Sequence, residues 1–397
     1  MYVIIVDIME NKDISKSGLT KVLQMMNLSN FGFSFISIFI PIYLLTIGDP
    51  HNVFFFKDVM VWLVIQHSSL LFFCFVAIYF SNTVGIVKTL HVRFLLLPLY
   101  ILLLSLLPFH SFLFYVIPIV IGAEAAFYWT ALNILFLRNT NKETMGRSLG
   151  KFFAYPKLFT IFNSLIAATV VHYFGFTTLF TISLFFVGLA FIPVASLTSE
   201  KTYFVFTLKA AKDLYYKNKR FVLPEIIDNL TEDAAVIWSI FVYLKLASIV
   251  DMGIIGTLVS VATICFTIFL GKRTDKENKY KQIKLGAVLV VASWLLCYVV
   301  GVYAVNKYLF YVATIGISLA MKVFLVPYQA ILLNEARKDD AQFIVMREIP
   351  VVLGRVILFL MAIIFNNNLP FLFLIVAVLF VYFIFLNTKK LVSVSIK

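Results

Sequence analysis

Twelve apolar segments fill most of this 397-residue chain, and its Lys and Arg residues gather almost entirely on one side of them. The segments run 28–48, 59–80, 90–108, 111–137, 151–172, 176–197, 228–249, 252–270, 284–303, 308–333, 344–365 and 369–387. A bilayer's hydrocarbon core is about 30 Å thick, so roughly 20 residues at about 1.5 Å each span it as a helix. Backbone amides in lipid must find partners within the segment, and helix is the form that satisfies this over such runs. The chain therefore reads as an all-α, multi-pass membrane protein. With 62% hydrophobic and 13% charged residues, it could not keep so much apolar surface away from water as a soluble domain.

The formal charge of +13 would suit a nucleic-acid binder, but its distribution points elsewhere. If the loops alternate sides, one side collects 27 basic residues and the other two, Lys57 and Lys307. The basic side includes Lys88 and Arg93 after the second segment, Lys201–Arg220 in the centre, Lys272–Lys284 after the eighth, and Arg337, Lys338 and Arg347 after the tenth. The positive-inside rule then places both termini in the cytoplasm, which an even number of spans also requires. The charge is a topology signal and no nucleic-acid partner is expected. Residues 1–7 are too short an apolar run for a signal peptide and read as a cytoplasmic or interfacial lead-in. Cys74, Cys265 and Cys297 lie inside apolar segments, so neither a disulfide framework nor a metal site is expected.

The longest polar interruption, 198–227, divides the chain into two sets of six segments. The expected units are a cytoplasmic stretch 1–27, a six-helix bundle 28–197, a central cytoplasmic loop 198–227, a second bundle 228–388 and a tail 389–397. Within the central loop, Leu208–Arg220 has helical spacing and a basic face, which suits a helix lying on the cytoplasmic leaflet. The loops on the opposite side are short, leaving little room there for a catalytic or receptor domain.

The two halves also share local features. A tight basic turn follows the second segment of each, at 79–90 and at 271–283. Trp129-Thr-Ala131 in the fourth segment corresponds to Tyr328-Gln-Ala330 in the tenth. In these turns the chain resembles the major facilitator superfamily, whose signature loop reads G-x-x-x-D-R-x-G-R-[RK]. The later turn matches at Gly271, Asp275, Lys276 and Lys279, with Asn278 where glycine is usual. The earlier one keeps Gly85 and has Asn82 in place of the aspartate. The fifth segment carries Phe162–Ile166 where drug/proton antiporters show a Gly-Pro pair, and the fourth carries Pro118 and Ile119 where many members place an arginine. The resemblance implies two pseudo-symmetric six-helix bundles, a secondary transporter working by alternating access, and a signature loop that latches neighbouring helices.

Ionisable groups within a bilayer cost on the order of 3–15 kcal/mol, so those present should face a partner or a wet cavity. Lys157, Lys245, Lys322 and Arg355 lie within segments, and Glu124 lies near the middle of the fourth. Lys245 sits near a boundary and is expected to snorkel. Glu124 precedes Ala131 by seven residues and Lys322 precedes Ala330 by eight, so the two have similar depth on repeat-related segments. The resemblance implies that these helices line the central cavity, with Glu124 opposite Lys322 or, alternatively, Lys157. Two roles stay open for Glu124: a static ion pair, or a carboxylate whose protonation is coupled to opening. The forked guanidinium of Arg355 suits an anionic solute.

Glu225, Asp228, Asn229, Glu232 and Asp233 fall within an arc of about 140° on one helix face. If that helix begins near Phe221 the stripe enters the cavity; if near Ala234, it is a solvated face. Asn30 and Ser34 begin a second polar band in the first segment, with helix packing as the simpler explanation. Nothing matches a nucleotide-binding loop, and no cofactor is expected. The expected partners are a small solute, protons and membrane lipid, for a monomer in the plasma (inner) membrane. Excess cations within the segments lean towards an anionic or amphiphilic solute. A flippase for lipids or lipid-linked sugars, or a polytopic membrane enzyme, are the competing readings.

Overall fold

A computed structural model describes residues 16–47, 56–138, 140, 142–190, 192, 207–336 and 340–386. The lead-in 1–15, residues 198–206 of the central loop, Arg337, Lys338 and the tail 389–397 lie outside the described residues. Every regular element among the described residues is helical: α1 (Lys16–Ser37), α2 (Ile40–Thr46), α3 (Phe56–Val84), α4 (Ile86–His91), α5 (Arg93–Leu106), α6 (Leu113–Arg138), α7 (Met145–Phe159) and α8 (Asn163–Leu189). After the central loop come α9 (Leu208–Lys217), α10 (Val222–Leu246), α11 (Ile249–Lys276), α12 (Lys279–Tyr303), α13 (Lys307–Ala336), α14 (Asp340–Ile364), α15 (Leu369–Phe380) and α16 (Tyr382–Phe385).

Among the described residues, nine stretches are long and apolar enough to cross a membrane. One of these, Met145–Leu189, has 45 residues, about twice what a bilayer requires. It is interrupted at Gly175, where φ 77° and ψ 174° break the helix between the fifth and sixth apolar segments. That region of backbone space is nearly closed to residues with a Cβ, so glycine is the residue that permits the corner there. Two further helices, α10 and α14, each have 25 residues. They are long enough to span but carry charged groups that lower their hydropathy, and both are involved in the site described below.

Large apolar side chains such as Phe72, Leu95, Phe185, Val312 and Ile364 stand exposed around the outside of the helices. A soluble protein would not expose so much contiguous apolar surface, whereas lipid tails would cover it. Together with the apolar helices, this makes the chain an integral, multi-pass membrane protein. Inside, Trp238 and Trp294 both pack on Phe373, and Phe324, Phe380 and Phe383 pack against one another, tying α10 and α12 to α15 and α13 to α15 and α16.

The helices before and after the central loop meet along two seams: α3 against α14, and α7 with α8 against α11. The second seam is close because it is built on small residues. A Cβ added at Gly271 would lie 2.7 Å from the Gly146 carbonyl oxygen and 3.0 Å from the Gly150 Cα. Gly271 of the signature loop is therefore a helix-crossing residue, while Gly85 of the earlier copy forms the turn between α3 and α4 at φ 97°.

Candidate functional site

The acidic stripe is the first element to settle. Because α10 begins at Val222, the stripe lies inside the helix and within the protein, and the solvated alternative falls away. Glu225 is 1% and Asp228 0% exposed. Arg347 Nε donates to Glu225 Oε2 at 2.5 Å, and the Tyr328 hydroxyl donates to Glu225 Oε1 at 2.8 Å. One turn along, Arg355 Nη2 donates to Asn229 Oδ1 at 3.2 Å, and Arg355 Nε lies 3.4 Å from Asp233 Oδ2. Asp233 also lies 3.3 Å from His67 Nε2 on α3, and the His67 ring stacks on Phe359 with centroids 5.4 Å apart. Arg347, expected in the tenth loop, is instead a partner of the stripe.

Asp228 has no hydrogen-bond partner for either carboxyl oxygen among the described residues. An ionised carboxylate in that position would lack the pairing that buried charge normally requires. Asp228 is thus wholly buried and unpartnered, whereas Glu232 faces the cavity.

Beside these groups, between the two sets of helices, lies a cavity of about 210 Å³. Its wall before the central loop includes Trp129, Asn133, Phe136, Phe152 and Phe153. Its wall after the central loop includes Asn229, Glu232, Gln329, Arg347, Glu348 and Arg355. Glu232, Arg355 and the stripe are thus brought to one site, one of the two placements the sequence left open for the stripe.

Glu124 is placed differently. Its carboxylate lies 2.9 Å from Arg93 Nη1, with both side chains almost wholly buried, and neither Lys322 nor Lys157 forms an ion pair among the described residues. Arg93 Nη2 donates to Asn30 Oδ1 at 3.0 Å, Asn30 Nδ2 donates to the Tyr128 hydroxyl at 3.2 Å, and the Arg93 guanidinium lies 3.8 Å from the Tyr128 ring centre. This corrects two expectations: Arg93 is a buried residue of α5, and Glu124 is half of a compact knot tying α1, α5 and α6. Ser34 also has a packing role, since Asn163 Nδ2 donates to its hydroxyl at 2.6 Å and joins α1 to α8. Lys157 donates to Thr263 Oγ1 at 3.4 Å, and the Lys322 ammonium lies 5.3 Å from the Phe153 ring centre. Lys245 is exposed above the Phe241 ring, as snorkelling would have it.

The signature loop forms a contact of its own in the second seam. Asp275, near the end of α11, accepts the backbone N–H groups of Gly146 and Arg147, each at 2.8 Å. Those amides belong to the first turn of α7, where no helical partner exists and the helix dipole favours a negative group. Asn278 caps α12 by accepting from the backbone N–H of Tyr280 at 3.0 Å, which explains its place where the family motif has glycine. Lys276 is exposed and Lys279 half-buried. In the earlier copy the Asn82 Oδ1 is buried without a partner among the described residues.

The overall arrangement matches that of solved transporters. The human organic anion transporter MFSD10 (TETRAN) superposes with a TM-score of 0.71 at 12% identity, covering 93% of this chain and 98% of that one. FucP in its outward conformation gives 0.67 at 13% identity, over 94% and 99% of the two chains. The fold is that of the major facilitator superfamily. A variant of the E. coli fucose:proton symporter FucP aligns on the same major facilitator fold, with a TM-score of 0.65 at 12% identity over 92% of this chain and 96% of that one. By sequence, an uncharacterised Bacillus subtilis protein, YqgE, is 23% identical over 253 residues, 60% of this chain and 58% of its own length. This chain thus aligns with little more than half of that relative. No family model matches the sequence.

Proposed function

We propose that this chain is a secondary active transporter that moves a small solute by alternating access and couples the movement to protons. In this reading twelve helices form two six-helix bundles, 28–197 and 228–388, with both termini in the cytoplasm and the protein monomeric in the plasma membrane. The carrying observation is the cavity lined by both helix sets, with a polar contact between the sets in each of the two seams. At one level His67 of α3 meets Asp233 and, through it, Arg355. Towards the loop-rich end, Asp275 closes on α7. Breaking one contact while keeping the other would open the cavity to one side at a time, which is what a carrier requires. The fold of MFSD10 and FucP supports the same reading.

Asp228 is the proposed proton-binding group, displacing Glu124, whose ion pair with Arg93 has a structural role. A neutral Asp228 suits its dry, unpartnered position; ionisation would draw on Arg347 and Arg355 and loosen their contacts with Glu225 and Asp233. The test is a pH-sensitive dye trapped in proteoliposomes containing purified protein, challenged with pools of organic cations, anions and sugars. Wild type is expected to move protons with one pool, and Asp228→Asn to lose that signal at least tenfold while still exchanging solute. A wild-type proton signal in Asp228→Asn would refute the assignment.

A further inference from the structure

The cavity's two walls differ in chemistry in a way that bears on its occupant. One wall is aromatic, formed by Trp129, Phe136, Phe152 and Phe153. The other wall is charged, and its charges are unequally satisfied. Arg347 is held by Glu225, and Arg355 is shared between Asn229 and Asp233. Glu232 and Glu348 also line the cavity, and neither has an ion pair or hydrogen bond among the described residues. Lys157 and Lys322 do not line it: Lys157 donates to Thr263, and Lys322 sits at the ring of Phe153. The cation excess expected from the sequence is therefore reversed at the cavity itself. Both guanidiniums of this wall, Arg347 and Arg355, already face carboxylates of α10, and Glu232 and Glu348 add two more acidic groups to it.

From this we infer that the cavity takes a small organic cation with an apolar or aromatic body, its charge set against Glu232 and Glu348 and its body against Trp129, Phe136 and Phe152. The inference rests on the reading of this cavity as the carrier's solute site. An aromatic face attracts a cation through its ring quadrupole, by about 0.5–2 kcal/mol as water is excluded, and Trp is the strongest such face. The carboxylates supply the opposite charge without having to give up a hydrogen bond. An anion would have to displace Glu225 or Asp233 from an existing guanidinium contact and would meet two further carboxylates. At about 210 Å³ the space is smaller than the roughly 300–1,000 Å³ of drug-sized sites, so a compact cation fits best.

The experiment uses three probes of similar size: benzyltrimethylammonium, its uncharged carbon isostere neopentylbenzene, and benzenesulfonate. Binding to the full-length protein in detergent is measured by calorimetry, and uptake of each labelled probe is measured separately in proteoliposomes. Wild type is expected to bind benzyltrimethylammonium at least tenfold more tightly than either comparison probe. Glu232→Gln and Glu348→Gln, eluting as wild type does on size exclusion, should each lose tenfold or more for the cation and little for the neutral isostere. Tighter binding of benzenesulfonate by wild type, or equal binding of all three probes, would overturn the inference without recourse to any variant. Cation affinity unchanged in both glutamine variants would overturn it as well. Uptake of the anion alone would sink the cation assignment and leave the carrier reading standing. Tight cation binding without any uptake would uphold the site and remove the carrier reading instead.

Discussion

The Asp275 carboxylate accepts the backbone N–H of Gly146 at 2.8 Å, linking two helices that lie 129 residues apart in sequence. It satisfies two amides of α7 that no helical carbonyl can reach, and it lies beside the Gly150–Gly271 crossing, where the two backbones approach closely. The Asp275 side chain thus reinforces the α7–α11 seam near the Gly150–Gly271 crossing, and its loss should be felt locally.

Asp275→Ala is expected to remove about 0.5–2 kcal/mol, the usual range for losing a helix-capping oxygen. Hydrogen–deuterium exchange should show faster exchange of the Gly146 and Arg147 amides, with α3 and α14 little changed. Protection of α7 equal to wild type would mean that the contact bears no load.

Arg93 and Glu124 should behave as a buried pair. Removing either partner leaves the other charge uncompensated, at a cost of about 3–5 kcal/mol, whereas an apolar replacement of both can be neutral. Arg93→Ala should therefore lower the thermal midpoint in detergent sharply. The double change Arg93→Met with Glu124→Leu should recover most of the loss. Additive losses in the double variant would show that the two groups do not form a pair.

Gly175→Ala places a Cβ where φ is 77°, with open space around it, so the cost is purely conformational. It should amount to about 1–3 kcal/mol. Gly188 also has open space around it, but in ordinary helical backbone, and Gly188→Ala should be neutral or mildly stabilising. Equal thermal midpoints for the two variants would contradict the corner at Gly175.

The sequence carries some of this arrangement openly and hides the rest for identifiable reasons. The fifth and sixth apolar segments end and restart on either side of Gly175 because hydropathy follows lipid exposure and glycine marks the corner. Asp275 was readable from the signature loop, since a carboxylate near a helix end has few other uses. Arg93 was not, because a loop arginine and a buried one look identical beside the apolar run Phe94–Leu107. The isolated Glu124 was the available signal, as a buried carboxylate calls for a cation and Arg93 lies on an adjoining helix. The start of α10 was equally hidden: its acidic residues depress hydropathy, and only their pairing with Arg347 and Arg355 makes their burial tolerable. Which cation meets which anion is a tertiary fact, and local pattern does not encode it.

The account turns on whether the cavity opens to each side of the membrane in turn. The direct measurement places a single cysteine at Asn133, which lines the cavity, in protein whose Cys74, Cys265 and Cys297 are replaced by serine. Oriented vesicles are then treated with a membrane-impermeant thiol reagent from one face or the other. The account predicts labelling from both faces, with modification from either face preventing the other, and Asp275→Ala shifting the ratio of the two rates. Labelling from one face only, with no reaction from the other at any time or in any variant, would contradict it.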